Sequence, residues 1–215
     1  MTIDDRLSAL LSRGLVRTRP AADMLSPDSL LGDGGAVLPL EHARLLSLTN
    51  GLDAYGGYFR LFGVGPWSVR DMRRWNSRDG WRSAWEGRAD GWWCFGETAW
   101  GDQYAYAAGD DPFSVDTTVY RLDACRLEPE AVADDFGEFL GGEFARNAAA
   151  PRDDATVAAR ERFGEIDPNQ QLAYVPSLLL GGDDDLANVV TLGAREAMAA
   201  AGEAYRAWAH AGVAR

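Results

Sequence analysis

Lysine is absent from all 215 residues, so each of the 21 basic side chains is an arginine. Without lysine there is no Walker loop, which ends in Gly-Lys-Ser/Thr, and neither a Gly-x-Ser-x-Gly elbow nor a Gly-x-Gly-x-x-Gly turn is present. Nucleotide-binding and acyl-transfer enzymes built on those motifs are excluded. Histidine occurs only at His42 and His210, each without a Cys, Ser or Asp at a catalytic spacing, which leaves no support for imidazole general-base chemistry. Cys94 and Cys125 are too few for a disulfide framework, and two free thiols are expected. No apolar run reaches the roughly 18 residues needed to span a bilayer, and Met1-Thr2-Ile3-Asp4-Asp5 lacks the basic start of a secretory signal. The expected location is the cytoplasm, with no membrane contact.

What is abundant is negative charge and apolar surface. A 47% apolar composition over 215 residues is enough for a substantial core in one large domain, or in a domain with an appended part. The net charge of −12 is unevenly placed: residues 1–90 hold 12 Arg against 11 acids, and residues 91–215 hold 9 Arg against 22 acids. An acidic surface repels phosphates and attracts basic partners, so a cationic protein is the favoured partner and direct nucleic-acid binding is disfavoured.

Ile3, Leu7, Leu10, Leu11 and Leu15 follow helical spacing with Gly14 as a stop. Residues 18–37 are rich in turn residues and should be irregular. Pro39 and Asn50-Gly51 bracket a helix carrying Leu45, Leu46 and Leu48, and Ser68 to Asn76 reads as a short helix capped by Ser68. Strands are expected at Tyr58 to Gly63, Gly91 to Thr98, Asp102 to Ala108 and Thr117 to Asp123, arranged as an antiparallel meander. Phe136, Phe139, Leu140 and Phe144 form one helical stripe. Residues 145–155 read as a linker, Leu172 to Leu180 as a strand in which Pro176 must lie at a sheet edge or a strand end, and Ala194 to Ala209 as a helix. The fold class is α+β: an antiparallel or mixed sheet of about five to six strands flanked by N- and C-terminal helices. Residues 1–145 form the main unit, and 146–215 form an extension packing on it.

Leu38-Pro39 opening the helix, Asn50-Gly51 closing it, Leu61-Phe62 in the first strand, and Gly101-Asp102 with Tyr104 and Tyr106 in a later strand together resemble the SUKH superfamily. Its bacterial members are mostly immunity proteins that bind and neutralise toxins. Phe163-Gly164-Glu165 and the run from Ala173 to Gly182 are similar to the C-terminal region of type VI secretion immunity proteins that neutralise DNases, although here Asn188 precedes Val189 in place of an Asn-Leu pair. The resemblance implies a non-catalytic protein, without cofactor or metal, that binds a cognate and basic polymorphic toxin and blocks its active site. A regulatory or scaffolding SUKH-like protein with an endogenous partner is the alternative.

Candidate partner-binding residues are Glu97, Trp100, Asp102, Tyr104, Asp110, Asp111 and Asp116, chosen as acids and aromatics near the central strands. Glu97 and Asp102 also admit a third reading, a carboxylate pair in a sugar-cleaving enzyme. Asp183-Asp184-Asp185 lacks the ligand spacing of a calcium loop and reads as a solvated turn. Seven of the eight tryptophans lie between Trp67 and Trp100, interleaved with arginines. That pattern fits a recognition surface, a packed core or a stacking platform for single-stranded nucleic acid. Of Trp92 and Trp93, adjacent in a strand, one should point inward.

Overall fold

A computed structural model describes residues 1–21, 38–65, 67–79, 81–108 and 117–213. Helix α1 (Ile3–Ser12) begins at a capping box in which Thr2 and Asp5 satisfy each other's backbone N–H, and it buries Ile3, Leu7 and Leu10. Strand β1 (Val16–Thr18) follows, then α2 (Leu40–Leu48), β2 (Leu52–Ala54), β3 (Phe59–Leu61), α3 (Met72–Trp75) and a 3-10 turn, Trp81–Trp85. Strands β4 (Trp92–Thr98), β5 (Gln103–Ala107), β6 (Val119–Leu122) and β7 (Pro129–Ala133) complete a seven-stranded antiparallel meander in chain order. The fold is α+β.

The sheet is wider than the strands expected between Tyr58 and Asp123. Strands β1 and β2 have three residues each, too few for an alternation to be read, and β7 opens on Pro129 with an exposed edge. The expected Leu172 to Leu180 strand is shorter and lies outside this sheet: β8 (Gln170–Tyr174) pairs with β9 (Val189–Gly193) in a separate ribbon. Pro176, without an N–H, follows the last paired residue. The expected linker is largely helical. Helix α4 (Phe136–Phe139) runs through a π-type turn (Leu140–Phe144) into α5 (Ala145–Ala149), and Asp153 caps α6 (Asp154–Phe163). The alanines from 148 to 150 are strong helix formers, and α5 runs to Ala149. The final helix, α7 (Ala194–Val213), exceeds its expected length.

Two local details refine the expected helix end at Asn50-Gly51. Helix α2 ends on extended Thr49, and Asn50 instead bridges Val64, accepting from its N–H at 2.8 Å and donating to its carbonyl at 2.9 Å. Gly51 sits at φ +95°, where a Cβ would stand 2.7 Å from the Leu61 carbonyl oxygen, so the close approach of β2 to β3 requires glycine. Ser68 does not cap α3. Asp71 does, accepting from Arg73 N–H, because Met72 N–H donates to Gly63 and holds the preceding segment extended against it.

The two faces of the sheet are covered differently. Over the first lie α1, α2 and α4, with Phe95 meeting Phe136, Phe139 and Tyr106, and Tyr104 meeting Phe139; the whole stripe Phe136, Phe139, Leu140 and Phe144 is buried. His42 is buried here, stacked flat on Phe136 at 4.2 Å with Nδ1 3.1 Å from the Tyr106 hydroxyl, and burial pushes its pKa down to about 3. Across the second face runs a polar row: the register places Arg60 beside Glu97 and Glu97 beside Gln103. The segment from residue 164 to α7 closes over it.

The tryptophan-rich stretch is mostly core. Trp75, Trp81 and Trp85 are buried, their indole N–H groups donating to Gln103 Oε1, the Trp75 carbonyl and the Met198 carbonyl. Two of its arginines turn inward as well, Arg82 donating to the Ala89 and Trp92 carbonyls and Arg88 to that of Arg126, while Arg74 and Arg78 stay exposed. Trp67 alone of this group is strongly exposed. Trp92 and Trp93 are both half-buried, because both sheet faces are covered; Trp92 meets Tyr120 edge-on and Trp93 points its Nε1 at Met72 Sδ.

Candidate functional site

Glu97 is the first correction. Its side chain is fully buried, held by Arg60 at 2.8 Å, Arg70 at 2.6 Å and Gln171 at 2.7 Å. Arg60 also donates to the Gln170 and Asp167 carbonyls and Arg70 to that of Pro168, while the Arg70 guanidinium lies 4.0 Å over the Trp75 ring. Glu97 therefore fastens residues 166–171 to the sheet and reaches neither a partner nor a sugar. Tyr104 is the second correction: the alternation of β5 turns it under Phe139, with burial raising its pKa. Asp110, Asp111 and Asp116 lie outside the described residues.

Trp100 and Asp102 do come together, at one end of a cleft of about 770 Å³ between the β5–β6 side of the sheet, β8 and α7. Trp100 donates to Thr156 Oγ1 at 2.9 Å and stacks on Tyr174 at 5.5 Å with rings 14° apart. Leu172, Leu178, Leu179 and Met198 add apolar wall, and alanines 197, 200, 201, 204 and 207 of α7 form the opposite side. That side is held rigidly: Trp85 donates to the Met198 carbonyl, and Gly202 comes so near Ala84 that a Cβ would stand 2.8 Å from its oxygen.

Among the described residues five carboxylates line this cleft, from Asp102, Asp123, Asp153, Asp184 and Glu203, and none of the lining residues is arginine or histidine. Asp102 accepts from Ala124 N–H at 2.9 Å, Asp123 from the N–H groups of Cys125, Arg126 and Glu128, and Asp153 from Ala155 N–H and Thr156. The Tyr174 hydroxyl donates to Asp184 at 2.7 Å. Burial raises the pKa of Asp102 despite the backbone hydrogen bond that opposes it, and burial also raises that of the free thiol of Cys125. Chemically, this is a surface for an apolar group that carries positive charge. Among the described residues no group of three or more His, Cys, Asp or Glu is placed to hold a metal ion.

Three of these acids, Asp123, Asp153 and Glu203, escape sequence reasoning, since they come from a turn, a helix cap and an exposed helical position. The alanine spacing of α7 and the Trp100–Tyr174 pair were the available signals, but nothing in the linear order joins them.

No family model and no curated protein matches the chain. The crystal structure of Atu4351 from Agrobacterium tumefaciens is similar in fold, with a TM-score of 0.58 at 11% identity over 91% of this chain and 87% of that one. No helix among the described residues is long and apolar enough to cross a membrane.

Proposed function

We propose that the protein is a non-catalytic binding module that captures a cationic protein, in the manner of an immunity protein neutralising a cognate toxin in the cytoplasm. The observation that carries this reading is the cleft: apolar walls, five carboxylates and no cation among its lining residues. It lies in the half of the sequence with 9 Arg against 22 acids, so the local and the long-range fields have the same sign. The SUKH-like positions supply the biological role. A toxin with a basic substrate groove, such as a nuclease, is the partner this field would steer and hold.

Co-expression with the product of the adjacent gene tests the proposal. Growth should be rescued and the two proteins should co-purify, with an association rate that falls steeply as ionic strength rises. A rescued strain with no physical complex, or a salt-insensitive rate, would count against it.

A further inference from the structure

We infer that the cleft receives one amphipathic helix of the partner, about three turns long and arginine- or lysine-rich along one flank; this rests on the binding reading above. The length follows from α7. From Ala197 to Ala207 the wall spans ten residue steps, which at about 1.5 Å each is roughly 15 Å. Alanine and Gly-sized walls let two helices approach to the short end of the usual interaxial range, about 8 Å. The opposite side offers Leu178, Leu179 and the Trp100–Tyr174 stack as the second wall of a groove.

A self-satisfied backbone, continuous apolar surface and charge complementarity together suit a basic amphipathic helix as the occupant. The groove presents side chains along its length, and a helix satisfies its own backbone hydrogen bonds, so it needs only apolar contact and charge from its host. The apolar surface does not stop inside the cleft: Val175 and Leu180, which line it, are 54% and 52% exposed, extending the wall toward a larger body. The charge has one sign and is fixed in place. Backbone and hydroxyl donors hold Asp123, Asp153 and Asp184 without neutralising them. The arginines whose charges reach Asp102 and Cys125 are engaged elsewhere, Arg121 with Glu130 and Arg126 over Trp208. Pre-set carboxylates lose little freedom when a cation arrives, which is the condition for selecting a basic flank.

A labelled peptide of Leu and Arg, about three helical turns long with Leu at i, i+3, i+4 and i+7, is titrated by anisotropy against the full chain. Binding should be saturable, and at least about ten-fold weaker for a Glu-for-Arg peptide and for a scrambled peptide of equal charge. Ala200 is exposed, so Ala200→Arg should leave the fold intact by circular dichroism, and Ala201→Trp, at a half-buried position, is read only where circular dichroism shows a native spectrum. Each should weaken binding by about ten-fold or more. Equal binding of the scrambled peptide, indifference to both substitutions, no peptide binding, or binding of tetraphenylphosphonium in place of the peptide would each overturn the inference. Toxin capture separates the two proposals. If Ala200→Arg binds the toxin as tightly as the unmodified chain does, the groove assignment fails and the binding role stands; if the unmodified chain captures no toxin, the binding role itself fails.

Discussion

The two faces of the central sheet are built by opposite means. On one, Phe95, Phe136, Phe139 and Leu45 exclude water with few directional contacts. On the other, Arg60, Arg70, Glu97 and Gln171 join distant segments through hydrogen bonds whose partners must all be present. Apolar packing degrades gradually when a side chain is trimmed, whereas a buried ion network fails when one member is removed. The first face makes the fold; the second fastens residues 164–213, and with them the cleft, to that fold.

The largest expected effect comes from breaking the second face. Glu97→Ala leaves Arg60 buried and uncompensated and should lower stability by about 3–5 kcal/mol in chemical denaturation. Hydrogen exchange should show residues 164–213 opening before the sheet does. Leu45→Ala, on the first face, should cost about 2–5 kcal/mol but reduce protection uniformly. Identical exchange patterns for the two variants would erase the distinction between the faces.

That contrast also marks what was legible beforehand. The stripes of α1 and of Phe136 to Phe144 are periodic over enough residues to be read directly, and β4, β5 and β6 are runs rich in aromatic and apolar residues bounded by turn residues. Strands β1, β2 and β7 are not, β1 and β2 being three residues long and β7 mostly exposed, with no apolar pattern of their own. Glu97 looks like a surface acid because its partners stand 37, 27 and 74 residues away, and no local pattern announces them. The same long-range closure buries the tryptophans that resembled a recognition surface. For the cleft, Trp100 and Asp102 were identified and their companions from α6 and α7 were not, because the site exists only after the C-terminal segment has folded onto the sheet.

A pH experiment sharpens the comparison on the apolar face. His42 takes up a proton near 6.5 when unfolded but only at about 3 when folded. Between those values the unfolded chain binds the additional proton, so stability falls as pH falls, by at most about 1.4 kcal/mol per pH unit, and the contribution is flat above the unfolded pKa. Asp102 acts with the opposite sign, since burial raises its pKa and the folded form takes up its proton first. Subtracting the profile of His42→Phe from that of the unmodified chain should isolate the histidine slope. A difference that does not vary between pH 6.5 and 4 would show that His42 gains access to water in the folded state.

The smallest effect tests how the cleft is tied to the fold. Thr156 accepts from Trp100 Nε1 at 2.9 Å and donates to Asp153 at 2.8 Å, so one hydroxyl positions both an aromatic wall and a carboxylate. Thr156→Val keeps the shape and removes both bonds. Because Trp100 is half-buried and Asp153 exposed, water can replace part of what is lost, and the stability cost should be only about 1 kcal/mol. The Trp100 indole N–H resonance should nevertheless shift, and affinity for the basic helical peptide should drop by more than the change in stability accounts for, since the Trp100–Tyr174 wall would no longer be held in register with α7. An unchanged indole resonance with full affinity would mean that the wall is positioned by its stack on Tyr174 alone, and that the cleft depends less on α6 than its hydrogen bonds indicate.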